Sequence, residues 1–107
     1  MTDHDPYEHI GLIAKAADCP DGPAIVATCM DLAHMLLEKN TRYGNSALDP
    51  VRILSRAPAD EQLRVRIDDK LSRLAAQAPG DDEDALWDLA GYLILLRIAQ
   101  TRQETNP

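Results

Sequence analysis

Apolar positions recur along most of this chain at spacings of three and four residues, the period of an amphipathic helix rather than the alternation of a strand. Ile25, Cys29, Leu32 and Leu36 fall on one stripe, Val26, Met30, Ala33 and Leu37 lie beside it, and Asp31, His34 and Glu38 stand opposite. Cys-Pro-Asp-Gly-Pro at 19–23 is a turn, and Pro23 suits a helix start, so a helix is expected from Pro23 to about Lys39. Leu63, Ile67, Leu71, Leu74 and Ala78 carry a second stripe, in a helix opened by Pro58, begun by Asp60 and Glu61 and closed by Pro79-Gly80. The run Ala85 to Ala99 is apolar nearly all round, which marks a helix enclosed by others; it should start within Asp81 to Asp84 and fray after Ala99. A short helix is expected within Tyr7 to Ala17 and another from Asp49-Pro50 to about Ser55, with a turn-rich segment over Asn40 to Asp49.

These elements predict an all-α chain, a small antiparallel helical bundle in one domain. A polar N-terminal segment with a short helix would occupy 1–22, the helical domain 23–100 and a disordered tail 101–107. Phe is absent and aromatics make up 4% of the 107 residues, so the core must come from Leu, Ile, Ala, Val and Met. A flat apolar face on so small a unit is expected to be buried by a symmetric partner, giving a homodimer or a higher homo-oligomer. The net charge of −7 argues against nucleic acid, whose binding draws on clustered Lys and Arg. Cys19 and Cys29 have neither metal-ligand nor redox spacing and read as reduced thiols. The last apolar run is broken by Asp88 and Arg97, so it reads as a core helix and not a membrane span; no leader segment is expected, and the location implied is cytoplasmic.

The chemistry centres on Asp88, a carboxylate inside that apolar run, which must pair with a cation, bind a metal or shift its pKa. Asp84, one turn earlier, either shares a divalent cation with it or belongs to the acidic first turn of the helix. Glu38, Asp68 or Asp69, and Asp84 with Asp88 come from three helices and can converge as a hard oxygen set suited to Mg²⁺ or Mn²⁺. Of the adjacent pair Asp69 is favoured as the inward carboxylate, and a zinc or iron site at His34 with Glu38 and Asp31 stays open. Arg66, Lys70 and Arg73 share a helix flank, read either as solvated or as a phosphate clamp. Lys39, Asn40, Arg42 and Tyr43 supply the cationic, amide and aromatic groups that a nucleotide needs, or form an ordinary capped turn.

The strings Glu38-Lys-Asn-Thr-Arg-Tyr-Gly-Asn-Ser46, Arg64-Val-Arg-Ile-Asp-Asp-Lys-Leu-Ser-Arg-Leu74 and Asp82-Glu-Asp-Ala-Leu-Trp-Asp-Leu-Ala-Gly-Tyr92 together resemble the nucleotide-modification-associated domain of bacteriophages. That domain is similar in turn to the all-α nucleoside triphosphate pyrophosphohydrolases of the MazG type. The resemblance spans roughly Asp31 to Ala99. It implies a Mg²⁺-dependent (or Mn²⁺-dependent) enzyme of a bacterium or phage that cleaves a nucleoside triphosphate, here a deoxynucleotide, to monophosphate and pyrophosphate. It further implies Glu38, Asp69, Asp84 and Asp88 as metal ligands, with Glu38, Asp69 and Asp88 carrying catalysis. Lys70 and Arg73 would approach phosphate, and Asn40 and Tyr43 the sugar or base. The chain departs from the MazG pattern in lacking a dense Glu-Glu-x-x-Glu cluster and in placing Ala85 at an acidic position. Fewer ligands leave room for a second reading, a non-catalytic nucleotide-binding or protein-interaction module, and for a third, a purely structural helical dimer.

Overall fold

A computed structural model describes residues 11–76 and 84–105, and every regular element in them is an α-helix. They are α1 (Leu12–Ala17), α2 (Gly22–Arg42), α3 (Ala59–Ala76) and α4 (Ala85–Thr105). The expected stop at Ala78 to Gly80, the acidic start at Asp81 to Glu83 and the segment Met1 to Ile10 lie outside the described residues.

The junction of α1 and α2 depends on one glycine. Asp21 holds φ at +57°, turning the chain sharply, and Gly22 then packs against Ala16 so closely that a Cβ there would overlap the Ala16 backbone. Pro23 sits in the first turn of α2, as the sequence predicts. At its other end α2 runs one turn past the expected stop at Lys39. Lys39 and Arg42 suit the negative end of the helix dipole, and the Thr41 hydroxyl donates to the Leu37 carbonyl at 2.9 Å. Lys39, Asn40 and Arg42 therefore belong to the last turn of α2 and not to a loop. Gly44 and Asn45, both near φ +60°, bend the chain away.

No helix forms over the expected 49–55 stretch. A helix so short needs an apolar face to bury, and Val51, Ile53 and Leu54 find none, Ile53 and Leu54 remaining 84% and 95% exposed. Pro58 also pushes Ala57 out of the helical region, so regular structure resumes only at Ala59.

The closest helix pairing is α3 on α4; α2 also meets α4, and α1 rests on α2. Leu63 and Ile67 are buried against this pairing and Leu74 is half-buried. The inward arc of α3 then takes in Asp60 and Lys70, both buried, whereas Leu71 is half exposed. Leu63, Ile67 and Leu74 keep their expected places, and Lys70 takes the inward position expected of Leu71. The side chains that stand on the arc three and four residues apart are 60, 63, 67, 70 and 74, so a charged residue occupies each end of a short apolar centre. α4 continues to Thr105 instead of fraying after Ala99, helped by a Thr101 hydroxyl donating to the Arg97 carbonyl and by Arg102 in the last turn.

At one end of that arc Asp60 Oδ2 accepts a 2.6 Å hydrogen bond from Arg64, while Oδ1 is buried without a hydrogen-bond partner among the described residues. The Arg64 guanidinium holds the Asp60 carboxyl below its ordinary value of 3.8, against the opposite push of burial. A depressed folded pKa stabilises the fold above 3.8, and that contribution is lost as the pH falls through the folded value. Melting temperature followed into acid should therefore decline less steeply for Asp60→Asn than for the wild type below this pH. Parallel curves would mean that Arg64 does not select the charged form.

Burial is sparse. Among the described residues the buried apolar side chains are Ala16, Leu63, Ile67, Ala85 and Ala99, three of them alanines. Large apolar residues stand exposed on α2 (Ile25, Met30, Leu37) and α4 (Leu86, Leu93, Ile94). No helix among the described residues is long and apolar enough to cross a membrane.

Candidate functional site

Because α2 and α3 both pack on α4 and not on each other, a cleft opens between them with α4 as its floor. Its volume is about 460 Å³, within the range of small-molecule sites. From α2 and the following turn come Met35, Leu36, Lys39, Asn40, Tyr43, Ser46 and Ala47; from α3 Arg66 and Lys70; from α4 Asp88, Gly91, Tyr92 and Leu95. Gly91 permits this floor, since a Cβ there would lie 2.9 Å from Leu36 Cδ2 and 3.3 Å from Met35 Cε.

Asp88 is largely buried, its side chain 13% exposed. Among the described residues two lysines from different helices lie against it. Oδ1 accepts from Lys39 Nζ at 2.9 Å, and Lys70 Nζ lies 3.6 Å from Oδ2. Lys70 is itself buried, so its ammonium needs a neighbouring anion. Arg66 stands one turn before Lys70 on the cleft wall, exposed, with no ion pair among the described residues. Among the described residues three cations against one carboxylate give the cleft a positive lining in a chain of net charge −7.

Five of the residues expected to bind substrate thus line one cleft: Lys39, Asn40, Tyr43, Arg66 and Lys70. Arg42 and Arg73 do not. Arg42 pairs with Glu38 at 3.1 Å and Arg73 with Asp69 at 3.1 Å, each across one turn of its own helix.

The expected metal carboxylates are dispersed. Glu38 is exposed and on the far side of α2, the position its place opposite the apolar stripe dictates. Neither Asp68 nor Asp69 points inward, since Asp69 follows Ile67 by two residues, about 200° round the helix. Asp84 caps α4, its Oδ1 accepting from the Trp87 backbone N–H at 3.0 Å. Asp88 alone of the four lines the cleft. Among the described residues no three His, Cys, Asp or Glu side chains lie together so as to hold a metal ion, and this includes His34 with Glu38 and Asp31. A single carboxylate already engaged by two ammonium groups does not fit the oxygen set that Mg²⁺ or Mn²⁺ requires.

The sequence reading missed Tyr92 as a cleft residue, although it stands four residues after Asp88 on the same helix face. It also missed Ser46, which enters through the turn built by Gly44 and Asn45. A comparison with protein-family models, curated proteins and solved structures finds no match.

Proposed function

We propose that this protein binds a nucleoside triphosphate in the cleft between α2 and α3. The observation that carries the reading is the gathering of Lys39, Arg66 and Lys70 beside Asn40, Tyr43 and Tyr92 in a chain that is otherwise acidic. Cations at one wall suit phosphates, through charge-assisted hydrogen bonds, and two phenol rings with an amide suit a base and sugar.

A second reading makes the same cleft the substrate site of a Mg²⁺- or Mn²⁺-dependent nucleoside triphosphate pyrophosphohydrolase acting on a deoxynucleotide. What favours it is that residues from all three MazG-like strings, Lys39 with Asn40, Arg66 with Lys70, and Asp88 with Tyr92, line one cavity. The dispersal of Glu38, Asp69 and Asp84 weighs toward the binding module, which is the reading adopted. In either case we infer that the working unit is a homodimer, because of the apolar faces that α2 and α4 leave uncovered.

One screen separates the two. Purified protein is incubated with each ribo- and deoxynucleoside triphosphate, with and without Mg²⁺ or Mn²⁺, and products and thermal shifts are measured together. Thermal stabilisation with intact triphosphate is the expected result. Monophosphate plus pyrophosphate would establish the pyrophosphohydrolase instead, and neither effect would remove the nucleotide from the cleft.

A further inference from the structure

We propose that Asp88 is the built-in counter-ion of this cleft, a carboxylate that holds Lys39 and Lys70 and with which the phosphates of an incoming ligand compete. The inference rests on the cleft being a polyphosphate site and adds a restraint on its affinity.

The geometry carries it. The two oxygens of one carboxylate face two ammonium groups from two helices, Lys39 of α2 at 2.9 Å and Lys70 of α3 at 3.6 Å. α2 and α3 are otherwise joined through α4, so this bridge also ties the cleft walls to its floor. Asp88 and Lys70 are both largely withdrawn from water, where a neighbouring charge is weakly screened. A phosphoryl oxygen that reaches Lys39 or Lys70 comes close to Asp88 as well. It gains attraction to the lysines and meets repulsion from the carboxylate. Arg66, outside this bridge, supplies first contact without that opposition.

A metal-ligand Asp88 and a counter-ion Asp88 predict opposite results for the isosteric change Asp88→Asn, which removes the charge and keeps one carbonyl acceptor. Inorganic triphosphate is the probe, since it has phosphates and no base, and binding is measured by calorimetry without divalent metal. The counter-ion role predicts binding about tenfold tighter in Asp88→Asn than in the wild type, the worth of one charged contact. Equal or weaker binding by the variant, with the wild type binding, overturns the counter-ion and leaves the polyphosphate site standing. No binding by either protein overturns the site and the counter-ion together.

Should Asp88→Asn fail to fold, the wild type answers the same question. The ¹³C signal of the Asp88 carboxyl should move on adding triphosphate and stay in place on adding Mg²⁺ alone. A signal that moves with Mg²⁺ alone, or with neither, overturns the proposal.

Discussion

Arg66→Glu is expected to weaken the proposed triphosphate binding by about a hundredfold or more and to leave the melting temperature almost unchanged. Arg66 is exposed on the cleft wall and outside the buried arc of α3, so its replacement disturbs no packing and alters stability by about 0.5 kcal/mol or less. Its effect on a ligand is far larger. Of the three cations in the lining it is the one not engaged by Asp88, and reversing its charge leaves two cations facing two carboxylates. Losing one charge-assisted contact and adding a repulsion should weaken binding by about a hundredfold or more. Arg56→Glu, the same charge change in the irregular segment outside the cleft, serves as the control and should leave affinity within about twofold at moderate ionic strength. Equal losses in the two variants would mean that only overall charge is being sensed, and the cleft would lose its assignment.

The helical architecture was legible because the apolar spacing, the breakers at 19–23 and Pro58, and the lack of Phe all point the same way. The burial of Asp88 was legible for a related reason, since a charge within an apolar run has nowhere exposed to go. Its partners were not legible. Whether Asp88 meets a metal, an arginine or two lysines depends on where α2 and α3 sit on α4, and no local pattern encodes that placement. The register of α3 shows how small the missing information is. Reading Leu71 rather than Lys70 as inward changes one position of a stripe whose Leu63, Ile67 and Leu74 stay in place, and it leaves Lys70 on a flank; Asp69, about 200° from Ile67, faces outward in either case. From sequence Lys70 reads as part of a solvated flank or of a phosphate clamp, and the nearby Asp88 helps to make its burial tolerable. Glu38 is the opposite case. Its place across the helix from Ile25, Cys29, Leu32 and Leu36 directs it away from the interior, at odds with its inclusion in the converging carboxylate set.

Leu93→Glu combined with Ile94→Glu is expected to convert the proposed dimer to monomer, the largest change in stability expected of any surface substitution here. α4 carries apolar side chains round its whole circumference, and in one chain only part of that circumference is covered. α3 packs on α4, Ala85 and Ala99 are buried, α2 reaches Gly91, and Leu86, Leu93 and Ile94 stay about half exposed or more. Among the described residues a core of Leu63, Ile67 and three alanines is small against the entropy of ordering four helices, so association and folding should be coupled. Twofold symmetry places each residue of the interface twice, so the double variant sets four carboxylates into an apolar contact. Their desolvation should weaken association by at least about a thousandfold. Light scattering after size exclusion should give twice the chain mass for the wild type and the single mass for the variant. The wild-type melting temperature should rise with protein concentration, and that dependence should vanish in the variant. A wild type that is monomeric at every concentration, with an unchanging melting temperature, would show that the exposed faces of α2 and α4 are not covered by a second copy.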